Sequence, residues 1–235
     1  FMADYLSVPR ERVHVIRPGL DLSAYAKSEG TPRIRESADQ PATIGYLARV
    51  CPEKGLHLLA EAFGLLAGDG DLPPISLRAA GYLDPDDREY LARIRSKLAE
   101  EKLSDRFEYV GEVDRATKVS FLQSLDVMSV PTVYRESKGL SILEAWAAGV
   151  PVVVPEHGTF PELLADSDGG LLCEPDNPPA LAAALKRMIQ DPQFAAECGH
   201  SARQTVRRRY NAPLMAERTI ALYQTLRRNH EEHPA

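Results

Sequence analysis

VMSVPTVYRESKGLSILEAWAAGVPVVV, residues 127–154, is the stretch whose pattern decides the fold. It opens with the apolar run Val127–Val130 and closes with the valine run Val152–Val154. Runs that are apolar throughout suit strands buried on both faces of a parallel sheet. Between them, LSILEAWAAG reads as a helix that stops at Gly149, with Pro151 just beyond. Strand, helix and strand in this order make a βαβ unit. The same alternation continues outward. Ala42–Leu47, Ile75–Ala80 and Phe107–Val110 are candidate strands upstream, and Gly170–Cys173 is one downstream. Leu56, Leu59, Phe63 and Leu66 form one helical stripe, and Leu91, Ile94 and Leu98 form another. Asn177 caps a further helix with Pro178 in its first turn. The expected fold is α/β: a three-layer α/β/α Rossmann-like domain with a mainly parallel sheet of about six strands.

Length and composition set the limits around this core. The chain has 235 residues, enough for one large domain or for one domain with part of another. Apolar residues make up 44% and charged residues 26%, which excludes a disordered chain, a collagen-like chain and a disulfide scaffold. No apolar run approaches the about 18 residues of a transmembrane helix. Lys and Arg number 28 against 34 Asp and Glu, a net charge of −6, so a general nucleic-acid partner is not expected. Cys51, Cys173 and Cys198 lie far apart without a CxxC pair. They fit a reducing cytosol and form no zinc motif. The opening FMADYLSVPRERV lacks the basic and apolar regions of a signal peptide. It reads like the end of a helix, so the chain is expected to start inside a longer, cytoplasmic protein.

Three segments are expected. Residues 1–20 carry a short strand, Val13–Ile16, and a Pro18-Gly19 turn. Residues 21–212 form the Rossmann-like domain, and residues 213–235 hold a helix, about Pro213–Arg228, with a frayed tail. From Ser201 onward there are seven basic residues against three Glu. Arg207–Arg209 could meet an anionic membrane surface, although a solvated helix end is the plainer reading.

The common nucleotide loops are missing. There is no GxxxxGK[ST], and the GDG at Gly68–Gly70 follows a helix, with Pro73 in the place of the third glycine. Two other constellations point to phosphate. In GYLARVCPEKG, Gly45–Gly55, a strand ends near Leu47 and a helix begins near Lys54. Arg49 and Lys54 then sit at the carboxyl end of a strand, the edge where open α/β sheets bind ligands. The second lies in the opening stretch. A helix begins at about Gly139, where the N–H groups of Gly139 and Leu140 have no intrahelical partner and can meet an anion. Gly139 lets that anion approach because it lacks a Cβ. Glu144 shares a helix face with Leu140, and Glu136 sits just outside the helix, so two carboxylates flank the anion site. Exposed loop cations and an ordinary amphipathic helix remain the alternatives at this point.

Taken together, these segments resemble the C-terminal, donor-binding domain of glycosyltransferase family 4, the retaining GT-B enzymes. The resemblance runs from about Val13 to Arg228. Its most specific part is Glu136–Glu144, which has the spacing of the family's E-x7-E motif. ARVCPEKG, GVPVVVPEHGTFPELL, DGGLLCEPDNPPALAAAL and VHVIRPGLDLSAY carry the rest. The resemblance implies that Arg49 and Lys54 hold the diphosphate of a nucleotide-sugar donor, with backbone N–H groups from Gly139 and Leu140. Glu136 would hold the transferred sugar and Glu144 the ribose. Val113 and Lys118, both in GEVDRATK, would lie near the base. Arg49, Lys54 and Glu136 form the implied catalytic set. Lys138 stands where the family has an aromatic residue and would add a further phosphate contact. No metal and no cofactor beyond the donor substrate is implied. The acceptor site would belong to an N-terminal domain not contained in this chain. Val13–Ile16 would then lack partner strands, which invites self-association or a displaced N-terminal segment. Asp84-Pro85-Asp86-Asp87 reads as a helix cap and not as a DxD metal motif.

Other readings are a non-catalytic nucleotide-sugar-binding module, half of a GT-B-type sugar-nucleotide epimerase, and a glycoside hydrolase using Glu136 and Glu144. His57 reads as a packing residue and Trp146 as core. His157 lies on a strand-end loop within reach of a donor. His230 and His233 belong to the tail.

Overall fold

The computed structural model describes residues 2–26 and 35–232. Six strands form one parallel sheet in the order β3-β2-β1-β4-β5-β6. They are β1 (Ala42–Leu47), β2 (Ile75–Ala80), β3 (Phe107–Gly111), β4 (Val127–Ser129), β5 (Val152–Pro155) and β6 (Gly170–Cys173). The chain builds outward from β1 to β3, then returns to lay β4 beside β1, where Ile44 pairs with Val127 and Gly45 with Met128. The direction of strand order therefore reverses between β1 and β4. In open α/β sheets such a reversal, at the carboxyl ends of the strands, is where a ligand crevice forms.

The apolar runs form central strands for the expected reason. Ile44, Tyr46, Leu77, Met128 and Val152–Val154 have no exposed surface. Helices flank this sheet. They are α1 (Met2–Leu6), α2 (Ser23–Ala26), α3 (Leu56–Ala67), α4 (Arg88–Glu100), α5 (Arg115–Gln123), α6 (Leu140–Ala147), α7 (Phe160–Asp166), α8 (Pro178–Gln190), α9 (Pro192–Arg209) and α10 (Ala212–Glu232). Short acidic and amide side chains start them. Asp114, Asn177 and Asp191 accept the N–H groups of Thr117, Ala180 and Phe194 at 2.8–2.9 Å, each satisfying one of the orphan donors of its first turn. Asp84 does the same for Asp86 before α4, at 3.1 Å, so the Asp-rich segment is a cap. Trp146 is fully buried and donates to the Gly169 carbonyl at 3.0 Å. All three cysteines are buried, and burial pushes the Cys173 and Cys198 thiols up to about 11.

Two sequence expectations need correction. Val13–Ile16 is not a strand, because no strand among the described residues offers it a ladder, and Val15 is 85% exposed. The first residues form α1 and a 3-10 turn at Arg10–Arg12 instead. The following segment is not displaced. Leu20 bridges Asn211, and Arg17, Arg209 and Tyr210 converge on the Asp166 carboxylate. The last helix is also longer than expected. It begins at Ala212 and runs to Glu232. His233 lies outside the described residues, and so does the side chain of His230. None of the described helices is long and apolar enough to cross a membrane.

Candidate functional site

The crevice between β1 and β4 brings the two suspected loops together. After β1 the chain passes Arg49, makes a 3-10 turn at Pro52–Lys54 and enters α3 through Gly55. The helix thus starts slightly later than the sequence pattern suggests. Gly55 has φ 74°, and a Cβ there would lie 1.8 Å from the Pro131 carbonyl oxygen. Only glycine tolerates both the left-handed backbone and this approach. The Val133 N–H donates to the Glu53 carbonyl at 3.0 Å and ties the same two loops.

On this tie sits an ion pair between residues 82 positions apart. Lys54 Nζ donates to Glu136 Oε2 at 2.7 Å, and both side chains are only 15–16% exposed. Tyr134 joins the pair. Its hydroxyl accepts from Lys54 and donates to Glu136 Oε2 at 2.8 Å, and its ring centroid lies 4.9 Å from the ammonium. The other carboxylate oxygen of Glu136 accepts the N–H groups of Ser137 at 3.0 Å and Lys138 at 3.2 Å. Burial alone would raise the Glu136 carboxyl. The hydrogen bonds from Lys54, the Lys138 N–H and Tyr134 outweigh it and hold the carboxyl at about 2. Burial likewise works against the charged form of Lys54, and its bonds to Glu136 and Tyr134 overcome this to raise its pKa.

A pH dependence follows. Because the folded value of Glu136 lies below its ordinary 4.5, its stabilising contribution is complete above pH 4.5 and is lost as the pH falls toward 2. Urea denaturation from pH 5 to pH 2 should therefore show a shallower loss of stability for Glu136→Gln than for the native chain. Equal slopes would contradict the depressed carboxyl.

The start of α6 completes the crevice. Gly139 precedes it with φ 63°, and a Cβ there would meet Leu163 at 2.7 Å and Thr159 at 3.2 Å. The first bonds of this turn run from the Ile142 and Leu143 N–H groups to the Gly139 carbonyl, at 3.0 and 3.1 Å. The N–H groups of Gly139, Leu140 and Ser141 have no acceptor among the described residues. One turn into the helix, Glu144 accepts from Lys118 Nζ of α5 at 2.6 Å.

The structure thus gathers most of the suspected residues at one edge of the sheet. Lys54 and Glu136 touch. Glu136, Lys138, Gly139 and Leu140 follow in one loop, and Leu140 is exposed. Lys118 and Glu144 form a second pair. Arg49 is exposed on the β1 loop, and its guanidinium meets no hydrogen-bond or ion-pair partner among the described residues. Lys138 is exposed in the same way. Val113 is half-buried against the core beyond β3. His157 donates from Nε2 to the Thr132 carbonyl at 2.8 Å, so it braces the β4 loop. His57 is half-buried, and its Nδ1 lies 2.9 Å from the Tyr90 hydroxyl, as a packing residue would.

Sequence reasoning missed Tyr134. An aromatic residue two positions before Glu136 was the available signal, but nothing in the chain order shows that its hydroxyl reaches Lys54.

Comparison with known proteins adds an independent line. The sequence model of the family described as Glycosyl transferases group 1 matches residues 28–205. The phosphatidyl-myo-inositol mannosyltransferase of Mycolicibacterium smegmatis is 30% identical over 213 residues, 88% of this chain and 50% of that protein. The C-terminal domain of a glycosyl transferase group 1 family protein, LpcC from Francisella tularensis, superposes with a TM-score of 0.68 at 22% identity, covering 83% of this chain and 100% of that one. Anabaena HepE, solved in complex with UDP-glucose, superposes with a TM-score of 0.78 at 20% identity, covering 94% of this chain and 60% of that one. At these identities the two superpositions speak for the fold, that of a C-terminal Rossmann-like half of a GT-B enzyme. The chain spans about half the length of the curated relatives it matches.

Proposed function

Because the chain belongs to the glycosyl transferases group 1 family, we propose that it is the nucleotide-sugar-binding half of a retaining glycosyltransferase, which moves a glycosyl group from a nucleoside diphosphate to an acceptor. The observation that carries this reading is the Lys54–Glu136 pair at 2.7 Å, set beside the unpaired N–H groups of Gly139 and Leu140. A cation and bare amides suit a diphosphate, and an ionised carboxylate next to them suits the hydroxyls of an attached sugar. HepE is solved with UDP-glucose, a donor of this class, and the named relative is a mannosyltransferase.

The difficult step is cleavage of the bond between the anomeric carbon and the diphosphate. Negative charge grows on the departing diphosphate as positive charge grows on that carbon. Lys54, Arg49 and the tip of α6 meet the growing negative charge. Groups fixed in place before the reaction stabilise it without reorganising. Glu136 is already ionised and held in place by hydrogen bonds, so it orients the sugar and does not serve as the base. The departing diphosphate takes the acceptor proton, and the new bond forms on the face it leaves, which retains the configuration. Glu144 binds the ribose with Lys118 as its counter-charge, Val113 lies beside the base, and Lys138 adds a further phosphate contact. A separate N-terminal domain holds the acceptor.

A thermal-shift screen of UDP, GDP and ADP sugars tests this reading. Ligand at about 100 times its Kd adds about 2.7 kcal/mol of stability. For a chain of this size that raises Tm by roughly 5–10 °C. One nucleotide series should produce the shift. No shift with any of the three would reject the site.

A further inference from the structure

We infer, on the reading of the site proposed above, that Glu136 competes with the donor's diphosphate for Lys54 and thereby lowers the affinity for a bare nucleoside diphosphate relative to the intact sugar donor. In the free chain the Lys54 ammonium is already engaged by Glu136 and by the Tyr134 hydroxyl. An arriving diphosphate must displace the carboxylate from Lys54 or share the cation with it. Both side chains are about 85% covered, so the repulsion between carboxylate and phosphate is not screened as it would be in open water.

The backbone of Glu136 has little room to withdraw. Its carbonyl accepts the Thr159 N–H at 2.8 Å. Gly158, with φ 60°, packs so closely that a Cβ there would lie 2.5 Å from the Glu136 carbonyl oxygen and 2.6 Å from its nitrogen. The carboxylate itself is held by the Ser137 and Lys138 N–H groups. An intact donor offsets the repulsion, because its sugar hydroxyls donate hydrogen bonds to the displaced carboxylate. A bare diphosphate carries no such donors on its phosphate end. Once the sugar has left, Glu136 recaptures Lys54 and the spent diphosphate is released. Tyr134 is a positioning residue in this exchange, since its hydroxyl touches both partners and keeps the carboxylate on the ammonium.

Titration calorimetry on the full chain distinguishes the outcomes, with UDP, GDP and ADP as bare diphosphates and UDP-glucose, GDP-mannose and ADP-glucose as donors. Glu136→Gln keeps the size of the side chain and removes its charge. It should tighten binding of the preferred bare diphosphate about tenfold, the change that corresponds to about 1.4 kcal/mol, without tightening the sugar donor. Tyr134→Phe should move the bare diphosphate in the same direction by a smaller factor, about threefold, because its hydroxyl acts only through the carboxylate. A purely structural role would weaken both ligands alike in both variants. Glu136→Gln or Tyr134→Phe binding the bare diphosphate no tighter than the native chain overturns the competition and leaves the donor site standing. A native chain that binds none of the six ligands overturns both.

Discussion

Lys54→Ala is expected to weaken nucleoside-diphosphate binding about a hundredfold, within the range for truncating one partner of a buried, hydrogen-bonded charge pair. The loss has two sources. One cation disappears from the crevice. In addition, Glu136 keeps its place against the Ser137 and Lys138 N–H groups at 3.0 and 3.2 Å, so its charge now faces the phosphate without compensation. Its carboxyl should rise toward the ordinary range, because the Lys54 hydrogen bond is the largest of the influences lowering it. The effect on folding is of comparable size, about 1–3 kcal/mol for a charged group deprived of one partner. Calorimetry with the preferred nucleotide, alongside circular dichroism to verify folding, checks the expectation. Unchanged affinity would reject the phosphate assignment. Restoring part of the affinity with Glu136→Gln in the same chain would separate the lost cation from the stranded carboxylate. Arg49→Ala should weaken binding without a stability cost, since its guanidinium supports no other described residue.

Gly55→Ala is expected to destabilise the domain by about 3–5 kcal/mol and to lower Tm by roughly 10 °C. The backbone at φ 74° already costs an alanine about 1–2 kcal/mol. The added methyl would sit 1.8 Å from the Pro131 carbonyl oxygen, and a main-chain atom cannot rotate out of its way. The β1 and β4 loops would have to separate. That breaks the Val133 to Glu53 hydrogen bond of 3.0 Å and draws Lys54 away from Glu136. Donor binding should therefore fall together with stability. Gly70→Ala is the control, because a Cβ there meets nothing within 4 Å. Differential scanning calorimetry of the two variants should separate them clearly. Equal melting temperatures would mean that the close approach is not required.

The centre of the sheet was legible because β1, β4 and β5 are buried on both faces. Such strands must be apolar at nearly every position, and Ala42–Leu47 and Val152–Pro155 follow that demand. The helices α3, α4 and α8 were legible from their stripes and caps. By contrast, α9 left a weak trace. Its buried face is made of Cys198, Gly199, Ala202, Thr205 and Val206, small residues that give little periodic signal. They are small because the helix lies tight against the end of α6, where a Cβ on Gly199 would meet the Gly149 carbonyl at 2.1 Å. Val13–Ile16 misled in the opposite way, since β-branched composition marks a strand only where a partner edge exists.

For the site, the order of loops around the sheet reversal located the candidates, because every loop leaving a carboxyl end faces the same crevice. Their pairing was not legible. Lys54 meets Glu136 and Lys118 meets Glu144 across 82 and 26 positions of chain. These contacts depend on side-chain directions that no local pattern encodes.

The buried thiols have a practical consequence. With Cys51, Cys173 and Cys198 enclosed and their protonated forms favoured, the native chain offers maleimide reagents no ready thiolate. A single cysteine introduced at exposed Lys138 would then take a fluorophore selectively. The label would stand at the mouth of the crevice and report ligand arrival and departure in real time.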